Sequence, residues 1–93
     1  MDAPSARAHL RIENKKGLHA RASAKFVETV ARFQCDVTVR KDGTEVSGRS
    51  IMGLMMLGAS LGTTVEITAV GADAEDAVAA LSRLIAAKFH EDA

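Results

Sequence analysis

Hydrophobic residues recur in this 93-residue chain with two different periods, and the order in which the periods alternate restricts the fold. A period of two marks a strand with one buried face, and a period near 3.6 marks an amphipathic helix. Residues 9–13 alternate polar and apolar and predict a first strand. From 20 to about 32 the spacing turns helical, with Ala20, Ala24, Val27 and Ala31 on one stripe and Phe26, Val30 and Phe33 beside it. Val37 and Val39 then alternate with Asp36, Thr38 and Arg40. Asp42-Gly43 is a hairpin turn signal, so residues 44–47 read as the returning strand. Ser50 precedes a short apolar segment ending near Leu57, the arrangement of an N-cap and a brief helix. Residues 64–70 place Val65, Ile67 and Ala69 on one face of a fourth strand. Asp73 is placed to cap a last helix whose apolar stripe is Ala77, Leu81, Leu84, Ile85 and Phe89. Residues 1–7 are small and polar and read as a loose tail.

The resulting order is β-α-β-β-α-β-α in one domain spanning 1–93. Half-apolar strands with amphipathic helices between them predict an α+β fold of two layers, one mostly antiparallel sheet with its helices on one face. The other face of the sheet then meets solvent, as the Thr, Arg and Glu alternates of the strands allow.

Composition excludes several functions. The chain is 47% hydrophobic and 26% charged, which suits a folded domain and argues against disorder. Twelve basic residues balance twelve acidic ones, and there is no Trp or Tyr. A nucleic-acid binder would show a basic excess or a stacking platform, so nucleic acid is not an expected partner. Cys35 is the one cysteine, which rules out an internal disulfide and points to a small buried side chain. No stretch has the apolar length of a signal peptide or a membrane span, so the expectation is a cytoplasmic protein away from membranes. No His/Cys/Asp/Glu spacing indicates a metal, and no cofactor is expected.

The chemistry concentrates in Gly17-Leu18-His19-Ala20-Arg21, at the handover from strand to helix. A helix start presents unpaired N–H groups and the positive end of a dipole, a setting that favours a phosphoryl group. A neutral imidazole there is a nucleophile toward phosphorus. Arg21 is unfavourable next to that dipole unless it serves an anion, and a guanidinium holds phosphate oxygens well. His9 and His90 read as structural or solvated. In the short segment after Ser50, successive residues step about 100° around the axis, so its apolar residues cannot all face inward. Leu54 and Leu57 are the core candidates, leaving Ile51, Met52 and Met55 as an exposed, adaptable patch. Lys15, Lys16, Lys25 and Arg49 read as a basic rim around it that speeds encounter with acidic partners.

These residues, with Ser50-Ile51-Met52-Gly53-Leu54-Met55 and Gly71-Ala72-Asp73 at matching spacing, resemble the HPr family of phosphocarriers of the bacterial phosphotransferase system over about residues 9–89. The resemblance implies an open-faced β-sandwich with strand order 1-4-2-3 and three helices on one face. It implies that His19 accepts a phosphoryl group from phosphorylated enzyme I and passes it to a IIA protein, with Arg21 stabilising the charge. It implies regulatory phosphorylation of Ser50 by HPr kinase/phosphorylase, and partner docking at Ala20, Ala24, Arg49, Ile51, Met52 and Met55, most simply by a monomer. Such a protein is a carrier rather than an enzyme. Ala22 departs from the proline usual after the motif arginine; its His-Ala-Arg-Ala-Ser form is similar to the nitrogen-related branch of the family, so sugar transport is a less secure expectation than phosphotransfer. An alternative reading is a regulatory binding module whose Ser50 and His19 states control docking. A small phosphohydrolase is disfavoured because no second His, Glu or Asn is visibly placed around His19.

Overall fold

Strand alternation builds the sheet. In the computed structural model, which describes residues 3–91, Val65, Ile67 and Ala69 of β4 (Thr64–Val70) and Val37 and Val39 of β2 (Asp36–Lys41) are buried on one face. Antiparallel pairing sets Val39 opposite Ile67 and Val37 opposite Ala69. β1 (Ser5–Arg11) flanks β4, and β3 (Thr44–Ser47) flanks β2 through the Asp42-Gly43 turn, where both residues have positive φ. The sheet order is β1-β4-β2-β3, with every pairing antiparallel, as the resemblance implied.

The opposite face carries a ladder of charge. His9, Glu66, Arg40 and Glu45 lie side by side across the four strands. His9 Nε2 meets Glu66 Oε2 at 2.9 Å. Signs alternate along most of this row, which suits an open surface in water.

Helices α1 (Ala20–Val30), α2 (Ile51–Met56) and α3 (Ala74–Ala86) supply the other layer. Their buried residues join the strands in one core that includes Phe26, Leu54, Leu81, Ile85 and Phe89. The α3 stripe is buried as its spacing predicts. Phe89, however, lies beyond α3 in a short 3-10 segment, Lys88–His90, whose three residues have left-handed φ values of 55–60°.

Four expectations are corrected. β1 begins at Ser5 and pairs Ser5 with Val70, so residues 5–7 are strand rather than loose tail; residues 1 and 2 lie outside the described residues. α1 ends at Val30, and its buried face is Ala22, Ser23, Phe26, Thr29 and Val30, while Ala20 and Ala31 are exposed. Ser23 and Thr29 tolerate burial because their hydroxyls donate to the carbonyls of Leu18 and Lys25. Asp73 precedes α3 but does not cap it through its side chain. Its carboxylate accepts from the Gln34 N–H at 2.7 Å and so ties α3 to the approach of β2. Finally, Glu and Asn side chains do stand around His19, as described below.

Candidate functional site

The loop from β1 into α1 is fixed at both ends. Ile12, just past β1, is fully buried and exchanges backbone hydrogen bonds with Thr63 and Gly62. The Leu18 N–H donates to the Ala59 carbonyl at 2.9 Å, and the Leu18 side chain is buried. Gly17 takes φ +62°, and a Cβ there would lie 2.3 Å from the Ala59 carbonyl oxygen, so only glycine fits this crossing. The loop therefore delivers His19 to the N-cap position of α1, with extended backbone angles of −76° and −179°.

The first helical bond runs from the Ser23 N–H to the His19 carbonyl at 2.9 Å. The N–H groups of Ala20, Arg21 and Ala22 precede it and have no intrahelical partner. Ala22 is fully buried and the helix starts normally with alanine at that position. His19 makes no side-chain cap bond, and its side chain is 28% exposed. It lines an open hollow of about 700 Å³ with Lys15, Lys16, Ala20, Arg21, Lys25, His90 and Glu91. Four permanent cations around one histidine favour a multiply charged anion. Arg21 is exposed and makes no ion pair with the described residues.

The ring is held from one side. His19 Nε2 is hydrogen-bonded to Glu91 Oε1. The other oxygen, Oε2, accepts from Asn14 Nδ2 at 3.1 Å, and that amide also donates to the Gly17 carbonyl at 2.8 Å. Both contacts need an N–H from Asn14, which fixes the amide's orientation and leaves its buried Oδ1 without a partner among the described residues. Burial pushes the Glu91 carboxyl upward, but hydrogen bonds from His19 and Asn14 and the charges of His19 and Lys25 outweigh it and hold the carboxyl below its ordinary range. Glu91 is thus an anion at neutral pH and can only accept. The hydrogen in this contact belongs to Nε2, and in the neutral ring Nδ1 keeps its lone pair. Lys25 Nζ donates to the Phe89 carbonyl and secures the turn that presents Glu91.

Sequence reasoning singled out His19 and Arg21, which the structure brings together in the hollow at the start of α1, but not Glu91 and Asn14. Glu91 is 72 positions from His19 and 77 from Asn14, so no local pattern joins them. Of the expected basic rim, Lys15, Lys16 and Lys25 line the hollow, whereas Arg49 donates to the Cys35 carbonyl at 3.1 Å and braces the start of β2. Cys35 is buried, and burial, followed by the charge of Asp73, pushes its thiol up and keeps it protonated.

Ser50 caps α2, its Oγ accepting from the Gly53 N–H at 2.9 Å. Leu54 and Leu57 are buried, and Ile51, Met52, Met55 and Met56 are exposed, at 40%, 69%, 40% and 78%. Ala20 is exposed and Ala24 half-buried one turn on, and α1 packs against α2. Among the described residues, no His/Cys/Asp/Glu group is arranged to hold a metal, and no helix is long and apolar enough to cross a membrane.

A held imidazole at a helix mouth ringed by cations is a setting that favours a phosphoryl group, and the class of protein in view is an α+β fold that presents such a ring at its surface. Residues 6–87 match the family described as "PTS HPr component phosphorylation site". The phosphocarrier protein HPr of Xylella fastidiosa (strain Temecula1) is 47% identical over 83 residues, 89% of this chain and 93% of its own length. HPr of Neisseria meningitidis serogroup A is 50% identical over 82 residues, 88% of this chain and 92% of its own. The crystal structure of HPr-C-His from Thermoanaerobacter tengcongensis superposes with a TM-score of 0.90 at 44% identity, covering 95% of this chain and 99% of that one. The chain belongs to the HPr family of the phosphotransferase system. It is a phosphocarrier and not an enzyme.

Proposed function

We propose that His19 is the residue that carries the phosphoryl group, received from phosphorylated enzyme I and passed to a histidine of a IIA protein. The observation that carries this reading is the placement of His19 at the N-cap of α1, part-exposed in a hollow bounded by Lys15, Lys16, Arg21 and Lys25. The lone pair on Nδ1 forms the new N–P bond, while the donor's N–P bond breaks and its electron pair returns to the donor nitrogen. Arg21 and the first-turn N–H groups stabilise the phosphoryl oxygens through both steps. Partners dock on Ile51, Met52 and Met55 together with Ala20, Ala24 and Arg49, and the protein works as a cytoplasmic monomer.

Ser50 is the regulatory position in this reading, phosphorylated by HPr kinase/phosphorylase. A phosphate there adds about −1.5 to −2 charge at pH 7 beside the exposed Ile51 and Met52. Its effect falls on docking, because a dianion next to an apolar contact opposes partners that bury it.

The test is mass spectrometry after incubation with enzyme I and phosphoenolpyruvate. One acid-labile phosphoryl adduct is expected on the native chain and none on His19→Ala. An adduct that survives His19→Ala removes the assignment.

A further inference from the structure

The carboxylate beside His19 has a part in the transfer that follows from which ring nitrogen it touches. Nδ1 and Nε2 are separate positions on the imidazole, so a carboxylate on Nε2 leaves the lone pair of Nδ1 unused by that contact, on a ring that lines the hollow. We infer that Glu91, oriented by Asn14, is a positioning residue that fixes His19 in its Nε2–H tautomer and stabilises the positive ring formed when Nδ1 takes the phosphoryl group. This rests on His19 being the acceptor.

Three observations support it. The first is the bidentate use of the carboxylate, with one oxygen on His19 and the other on Asn14. A charge held at both oxygens cannot swing away without breaking a second contact. The second is its shelter, since the Glu91 side chain is only 15% exposed and the Asn14 side chain is fully buried. Shelter from water strengthens a charge-assisted bond. The third is the chain that delivers it. Lys88, Phe89 and His90 all adopt left-handed φ, a conformation that non-glycine residues hold only where the surroundings enforce it. The buried Phe89 ring and the Lys25 bond to its carbonyl supply that enforcement. The unusual turn aims Glu91 back at the start of α1.

The chemistry is balanced without any added proton carrier. Nδ1 contributes its lone pair to phosphorus while the donor nitrogen recovers the pair of its own N–P bond. The His19 ring keeps its Nε2 hydrogen and becomes a phosphoimidazolium cation. Glu91 meets that cation at Nε2, the nitrogen that does not take the phosphoryl group, so it stabilises the ring without repelling the incoming oxygens at close range. On discharge the pair returns to Nδ1 and the ring is neutral again. An orienting carboxylate on imidazole acts by the same logic in nucleophilic triads, where losing it leaves the wrong tautomer.

The experiment joins ¹⁵N NMR of the His19 ring in the uncharged full chain with the rate of charging by phosphorylated enzyme I, for the native chain, Glu91→Ala and Glu91→Gln. The native ring should show hydrogen on Nε2. In Glu91→Ala the Nδ1–H tautomer should appear and kcat/KM for charging should fall roughly tenfold or more, the scale of other ring-orienting partners. Glu91→Gln still offers an amide oxygen, so it should keep the native tautomer and recover part of the rate. A Glu91→Ala chain with native tautomer and native rate overturns the inference, and so does one that charges faster, since the carboxylate would then be a barrier. The ring spectrum needs no partner protein. An adduct on a residue other than His19 therefore counts against the carrier assignment alone, and an unchanged ring counts against Glu91 alone.

Discussion

A single missing side chain holds the loop that leads into α1 in place. Gly17 combines φ +62° with backbone neighbours that a Cβ would strike, at 2.3 Å from the Ala59 carbonyl oxygen and 2.9 Å from Ser60 Cα. Neither neighbour is a flexible side-chain end that could turn aside. Gly17→Ala should therefore destabilise the fold by roughly 2–5 kcal/mol, adding left-handed strain to overpacking. Charging of His19 should fall with it, because the Leu18 N–H to Ala59 bond lies one residue before the imidazole. Urea denaturation checks the first part, and a midpoint unchanged from the native chain would mean that the crossing relaxes freely. At this scale the sequence made the proposed phosphoryl-binding pair legible, since His19 and Arg21 are close neighbours in one motif. It hid the ring's support. Nothing local marks Asn14 as a brace for a distant carboxylate, and nothing near Glu91 in the chain marks it as the partner of a group 72 positions earlier.

Elements were legible where polarity tracked burial and misread where it did not. α1 is the instructive case. Alanine counts as apolar, so Ala20 and Ala31 drew the predicted stripe, yet the buried face runs through Ser23 and Thr29, whose hydroxyls are satisfied within or next to the helix. β1 began earlier than predicted because Ala6 and Ala8 give a weak alternation, while pairing with the whole length of β4 extends the strand. α2 was read correctly from its cap. Six residues are too few to be stable as a helix on their own, so α2 depends on Ser50 and on packing of Leu54. Ser50→Ala removes the acceptor for the Gly53 N–H and should cost about 1 kcal/mol. In a domain of this size that lowers Tm by about 4–8 °C. Ser50→Asp retains an acceptor at the same place and should melt near the native temperature. Calorimetry on both variants decides the point, and equal Tm values for Ser50→Ala and the native chain would show that the cap contributes nothing. The pair also separates loss of the cap from added charge when Ser50 variants are assayed with partners.

Across the whole molecule the two faces are chemically unlike. The open sheet face carries the His9-Glu66-Arg40-Glu45 row, whereas large exposed apolar side chains gather on the helical side at Ile51, Met52, Met55 and Met56. Adaptable thioethers on a surface suit a protein that must fit several partners in turn. Met52 is 69% exposed, so its replacement touches little of the core. Met52→Glu should leave stability within about 0.5 kcal/mol of the native chain. If α2 is where partners dock, the same change should raise KM for charging by phosphorylated enzyme I roughly tenfold, a loss of about 1.4 kcal/mol in binding. The control is Arg7→Glu on the sheet side, an exposed position opposite Thr68 that should leave KM close to native. Steady-state charging of the three chains decides between the faces. A KM that ignores Met52→Glu, or that follows Arg7→Glu equally, takes docking away from α2 and leaves its methionines as surface without a partner.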